Sequence, residues 1–157
     1  MNDLEQFLDK SALVGNENLI LSKEAFAKVL KQESFEYIDV PSFKLLKDIR
    51  AGEEGITSAI VEVDYAIAET GTVVVDSCNE NKRLATCLAE KLLAVLPLSK
   101  LVATLNDVAD FIEDRTTDMG GYVAFTTGAS RTADIERVLT VGVHGPKEMT
   151  VYILNDM

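Results

Sequence analysis

The chain has 157 residues, 47% of them hydrophobic and 26% charged, a balance that suits a globular protein with a real core and excludes a disordered chain. The 26 acidic against 15 basic residues leave a formal net charge of -11, a field that repels phosphate backbones and argues against nucleic acid as a partner. Cys78 and Cys87 are the only cysteines, too few for a four-thiolate zinc or iron–sulfur site, and neither a signal peptide nor a membrane-length apolar run is present. A soluble, cytoplasmic chain folding as one domain over 1–157 is therefore expected, with no metal, no cofactor and no membrane partner, and with a homo-oligomer left open.

In chain order, "NLIL" and "EYIDV" read as short strands, each followed by a helical pattern. In "SKEAFAKVLKQ" Ala25, Phe26, Val29 and Leu30 fall at helical spacing, and Ser22 is placed to cap the helix without a capping box. In "PSFKLLKDIRAGEEG" Pro41 opens a predicted helix with Phe43, Leu45, Leu46 and Ile49 on one face, ended by Gly52. "TVVVD" (72–76) is β-branched and predicts a buried strand. "NENKRLATCLAEKLLAVL" predicts a long amphipathic helix with Leu84, Cys87, Leu88 and Leu92 inward, which places the Cys87 thiol in the core. "SKLVATL" reads as a strand and "NDVADFIED" as a short helix capped by Asn106 or Asp107. "GYVAFTTG" is a strand running into a loop, "RTADIERVL" a helix and "EMTVYIL" a closing strand. The repeated alternation predicts an α/β fold with a largely parallel central sheet flanked by helices.

Three Gly- and hydroxyl-rich loops follow or adjoin the predicted strands: "AETGT" (68–72), "TTGASRT" (126–132) and "GVHGP" (142–146). In open parallel sheets, ligands bind outside the carboxyl ends of the strands. In the second loop, Gly128 permits a tight turn before a predicted helix whose free N–H groups favour an anion. Ser130 and Thr132 can cap that helix or donate to a ligand oxygen, and Arg131 offers a bidentate fork for a carboxylate or phosphate. The alternative is structural: Asp134 and Glu136 complement the helix dipole and one of them pairs with Arg131. His144, the lone histidine, is a candidate for proton transfer or a brace within its turn. Glu69 is a candidate base or nucleophile, or an acceptor for loop N–H groups, beside Thr70 and Gly71. Arg83 is a second anion contact or a solvated helix residue. No GxGxxG, GxxxxGK[ST] or GxSxG fingerprint occurs.

The stretches "GITSAIVEVDYAIAETGTVVVDS", "KRLA" and "GASRTADIERVLTVGVHGPKEMTVYIL" together resemble the lactate-utilisation (LUD) domain family, over about residues 55 to 154. The resemblance implies a fold like that of the sugar-phosphate isomerase and CoA-transferase group, and a part in oxidising L-lactate to pyruvate alongside iron–sulfur partner proteins. It also implies that Glu69, Thr70, Gly71, Arg83, Ser130, Arg131, Asp134 and His144 are site positions. Against the family's pattern the chain is expected to be short, missing part of the N-terminal helical region, and its predicted helix after Arg83 outruns that pattern. The alternative function is a stand-alone enzyme or sensor binding a small anionic metabolite such as a sugar phosphate, an acyl-CoA or a folate.

Overall fold

The computed structural model describes residues 2–48, 56–76, 80–116, 123–128 and 146–157. Helix α1 (Asp3–Leu13) starts at a capping box, in which the Asn2 side chain accepts from Glu5 N and the Glu5 carboxylate reaches back to Asn2 N. It stops at a Schellman motif, with Gly15 N donating to Ala12 O (2.9 Å) and Asn16 N to Ser11 O (3.2 Å). That turn delivers the chain to β1 (Glu17–Leu21), and α2 (Lys23–Gln32) follows with Ser22 as its cap. Next come β2 (Tyr37–Val40), β3 (Leu45–Lys47), β4 (Ser58–Glu62), β5 (Tyr65–Ile67) and β6 (Thr72–Asp76). Then follow α3 (Glu80–Leu88), β7 (Lys91–Pro97), β8 (Leu101–Val102), α4 (Ala109–Thr116), β9 (Val123–Thr126) and β10 (Glu148–Leu154).

The larger sheet has six strands in the order β1-β10-β7-β4-β2-β3, parallel throughout except for the β2–β3 edge. Its central strands β7 and β10 are apolar on both faces because helices or sheet cover both sides. On one face Phe26 of α2 packs with Val40, Ile60, Leu93, Val95 and Leu154. On the other, Phe7 of α1, Ala85 of α3 and Ala89 just after it meet Ala59, Val61, Leu92, Ala94 and Val151, together with Ala66, Val73 and Val75 from the smaller sheet. That smaller sheet, β8-β5-β6-β9, turns its other face to α4, where Ile67, Val74 and Val108 pack with Phe111 and Ile112. The architecture is therefore α2, large sheet, then α1 and α3 beside the small sheet, then α4.

The structure corrects several local expectations. Residues after Pro41 do not continue as a helix: Pro41–Phe43 is a single 3-10 turn, and Leu45 and Leu46 extend into β3 against Val40 and Asp39. The long helix predicted after Asn79 ends at Leu88, and Lys91–Pro97 is instead the strand between β4 and β10. Leu84 and Cys87 therefore do not share an inward face with Leu92; Ala85, Thr86 and Ala89 are the buried residues, and Cys87 is exposed. "SKLVATL" holds a 3-10 turn and a two-residue strand, and the cap before α4 is Thr104, whose capping box with Asp107 precedes the 3-10 turn Leu105–Val108. The helix expected over "RTADIERVL" lies outside the described residues.

Candidate functional site

β5 and β6 form an antiparallel hairpin whose turn is Ala68-Glu69-Thr70-Gly71. This loop is thus a hairpin tip in the small sheet, at the carboxyl end of β5, which runs parallel to β8 and antiparallel to β6. Gly71 N donates to Ile67 O (2.9 Å), while Ala68 N and Glu69 N donate to Val102 O (2.8 Å) and Ala103 O (3.1 Å) and tie the tip to the chain leaving β8. Gly71 has φ +67°, and a Cβ there would sit 2.7 Å from Ser11 N, so only glycine lets the tip lie directly on the last turns of α1. The exposed Glu69 uses Oε1 to accept from Leu105 N (3.0 Å), placing a carboxylate at the start of the turn that leads into α4. Thr70 is exposed at the tip.

The pairing of β6 with β9, Val73 opposite Thr126, carries the second loop to this same tip. Thr72 Oγ1 and Thr127 Oγ1 share a hydrogen bond of 2.8 Å, although 55 residues separate them. Asn16 Nδ2 donates to Thr127 O (2.7 Å) and to Ser11 Oγ (3.0 Å), and Ser11 Oγ in turn donates to Asn18 Oδ1 (3.0 Å). Gly128 then passes so close that a Cβ would lie 2.8 Å from Val14 Cγ2 and 3.1 Å from Asn16 Oδ1. Asn16 is only 7% exposed, and among the described residues its Oδ1 has no hydrogen-bond partner. Swapping the amide would not rescue it, because Thr127 O would then face an oxygen in place of a donor.

Two of the three loops therefore converge on a polar corner built from the end of α1, the approach to β1, the β5–β6 tip and the exit of β9. Of the candidate residues, Glu69, Thr70, Gly71 and Gly128 are gathered there. Ser130, Arg131, Thr132, Asp134 and His144 lie outside the described residues; the stretch that holds them leaves from Gly128 at this corner. The chain is described again at Pro146, after which Lys147 N and Glu148 N both donate to Glu90 O (2.9 Å each) at the start of β10. Arg83 is exposed on α3, which packs on β4 and begins beyond the far end of β6 from the hairpin tip. At a strand rise of about 3.3 Å per residue, β6 alone puts more than about 10 Å between Gly71 and that end.

The carboxyl ends of β2 and β4 carry charged side chains that the loop-centred reading passed over. Asp39 Oδ2 meets Lys82 Nζ at 3.4 Å with the side chains 18% and 12% exposed, and the buried Tyr37 hydroxyl donates to the same oxygen at 3.5 Å. Glu62 accepts from Ser42 N (2.9 Å) and Ser42 Oγ (2.7 Å). Asp76 pairs with Arg115 at 3.1 Å, and its N–H donates to Asp64 Oδ2 at 2.8 Å. The signal for Asp39 is visible in "YIDV", a carboxylate in an apolar strand; nothing in the spacing points to Lys82 as its partner. Burial, then the charges of Asp39 and Asp48, push the Tyr37 hydroxyl above its usual range. Among the described residues no three His, Cys, Asp or Glu side chains gather as a metal site.

A mixed α/β architecture with a mostly parallel sheet and a Gly-Thr corner defines the class, and comparison with known proteins defines the family. The LUD domain family model matches residues 4–154, and the chain belongs to that family. It is 38% identical over 97 residues to lactate utilization protein C of Geobacillus kaustophilus, a match that covers 59% of this chain and 40% of that one. Against lactate utilization protein C of Halalkalibacterium halodurans it is 29% identical over 159 residues, covering 99% of this chain and 67% of the relative. The same-named protein of Anoxybacillus flavithermus is 30% identical over 139 residues, covering 82% and 62%. The matches thus cover only 40% to 67% of the length of these relatives. A solved structure of a DUF162 family protein from Deinococcus radiodurans shares the fold, with a TM-score of 0.67 at 18% identity over 98% of this chain and 96% of that one.

Proposed function

We propose that this LUD-domain chain is an accessory component of L-lactate oxidation to pyruvate, acting with iron–sulfur partner proteins and holding a small anionic metabolite at the corner described above. The observation that carries the reading is the convergence of the 68–72 and 126–128 loops, sealed by the Thr72–Thr127 bond, in a chain whose relatives are named for lactate utilisation. Oxidising lactate to pyruvate releases two electrons and two protons. The two cysteines of this chain are too few for a four-cysteine cluster, so in this reading the electrons leave through groups on partner chains. Ser130 and Arg131, just beyond the Gly128 exit, supply the anion contacts, Thr132 and Asp134 support them, and Glu69 and His144 are the proton-handling candidates.

The test is a thermal-shift screen of the chain against L-lactate, pyruvate, sugar phosphates, CoA esters and folates, repeated on Arg131→Ala. Stabilisation by L-lactate or pyruvate that the variant loses supports the anion corner. Stabilisation only by a sugar phosphate, CoA ester or folate, with turnover by the chain alone, replaces this reading with the stand-alone enzyme or sensor. The accessory role itself is read by lactate-dependent dye reduction. The expected result is no turnover by the chain alone and turnover once iron–sulfur lactate-oxidation proteins are added; unchanged partner activity without the chain overturns it.

A further inference from the structure

We propose that Asn16 is a positioning residue of the corner: by holding the Thr127 carbonyl it aims the Gly128 N–H as a donor to the bound anion. The inference rests on the reading of this corner as an anion site. Asn16 stands at the turn out of α1 with its own N–H on Ser11 O (3.2 Å), and it is 7% exposed. Its Nδ2 has two hydrogens and both are engaged, one by Ser11 Oγ (3.0 Å) and one by Thr127 O (2.7 Å). The fully buried Ser11 donates onward to Asn18 Oδ1 (3.0 Å), so the amide is braced from behind. Asn16 Oδ1, by contrast, meets no donor among the described residues. A buried acceptor without a donor costs stability, so this amide is held for its donors. One of those donors goes to a backbone carbonyl 111 residues away.

That bond fixes a peptide plane. In a trans peptide the C=O and the following N–H point in opposite directions, and no cis bond occurs among the described residues. With Thr127 O held by Asn16, the Gly128 N–H is turned away from the turn between α1 and β1. Among the described residues no acceptor meets that N–H, and Gly128 itself is half-buried. The Thr72–Thr127 hydroxyl bond holds the side chain of the same residue, so Thr127 is held through both its side chain and its carbonyl. A donor fixed before the ligand arrives needs no ordering on binding, and its bond to an anion is about twice as strong as a neutral one. Gly128 suits the role, since a Cβ would lie 2.8 Å from Val14 Cγ2 and lift the peptide off Asn16.

Titration of the isotope-labelled full chain with L-lactate and with pyruvate, followed by amide NMR, tests this. The expected result is a downfield move of the Gly128 amide proton as the anion binds. In Asn16→Ala that move is lost and the affinity is at least about tenfold weaker. Val40→Ala opens a cavity on the α2 face of the large sheet, so it lowers the melting temperature without touching the corner. It should leave both the affinity and the Gly128 move unchanged. A Gly128 signal that stays in place while either anion binds the wild type overturns the proposal, and that arm needs no variant to fold. So does a Val40→Ala chain that loses affinity as Asn16→Ala does. Binding that survives Asn16→Ala undiminished overturns the proposal alone, whereas a wild type that binds neither anion overturns the anion corner itself and the proposal with it.

Discussion

The corner depends on single residues whose chemistry is easily separated. Gly71 combines a left-handed backbone with direct contact on Ser11 N and the Lys10 backbone, so Gly71→Ala adds conformational strain to a steric clash. We expect it to lower unfolding free energy by about 2–5 kcal/mol, read as a drop in the urea midpoint at unchanged m-value. Asn16 donates two hydrogen bonds while its Oδ1 meets no donor among the described residues. Asn16→Ala loses both donors but also removes the orphaned oxygen, for a net cost of about 1–3 kcal/mol. Asn16→Asp sets a carboxylate against Thr127 O, so it destabilises more at neutral pH and recovers part of the loss as acid protonates it; melting temperatures at pH 7 and pH 4, compared with wild type, read the difference. At Tyr37 the fold raises the hydroxyl pKa, and Tyr152 shifts the same way through burial. Above about pH 10 the unfolded tyrosine ionises while the folded one keeps its proton. The unfolded state then binds fewer protons, and stability falls as pH rises; below about pH 10 the group contributes no slope. Tyr37→Phe should therefore show a shallower loss of melting temperature between about pH 10 and 12, with Tyr152 sustaining the remainder.

Among the elements, the helix starts were read unevenly: Pro41 opens only a 3-10 turn, and the cap before α4 is Thr104 in place of Asn106 or Asp107. Ser22 caps α2 as its position predicts, because an N-cap is a local matter of one side chain and the N–H groups ahead of it. The failure at 79–96 has a tertiary cause. Leu84, Leu88 and Leu92 mimic one helical face, but Leu92, Leu93, Ala94, Val95 and Leu96 are all buried because β7 lies between two strands with packing on both faces. A continuous apolar run of that length carries no period that separates strand from helix. β4 and β5 went unread because Val63-Asp64 breaks their alternation into two short pieces assigned to different sheets. Glu69, Thr70, Gly71 and Gly128 could be picked out by loop composition, whereas their meeting depends on the β6–β9 ladder, and Asn16 carried no signal in "VGNEN". Glu69 offers a direct separation of roles at this scale, since its carboxylate reaches Leu105 N at the turn before α4. Glu69→Gln keeps an acceptor there and should leave stability within about 0.5 kcal/mol, while Glu69→Ala costs about 1 kcal/mol. A loss of ligand-induced stabilisation in Glu69→Gln with an unchanged melting temperature would assign the charge to the ligand; retained stabilisation would leave Glu69 as a tether for α4.

At the scale of the whole molecule, the layered core must hold against an excess of negative charge. The stabilising side is the two buried faces of the large sheet, joined through Ala66, Val73 and Val75 to the smaller one. The opposing side is the net charge of -11, spread over a surface whose ion pairs include the exposed Lys147–Glu90 contact at 3.6 Å and the Arg115–Asp76 contact at 3.1 Å. Salt weakens both the attraction within such pairs and the repulsion among unpaired carboxylates. The two effects are unequal, because an exposed pair contributes only about 0–1 kcal/mol, whereas every carboxylate in the excess repels several others within reach of an unscreened field. Repulsion therefore wins, and raising sodium chloride from about 0.02 to 0.5 M should increase the melting temperature. A rise locates the effect in the charge of the folded chain, and a fall would mean that local ion pairs outweigh it.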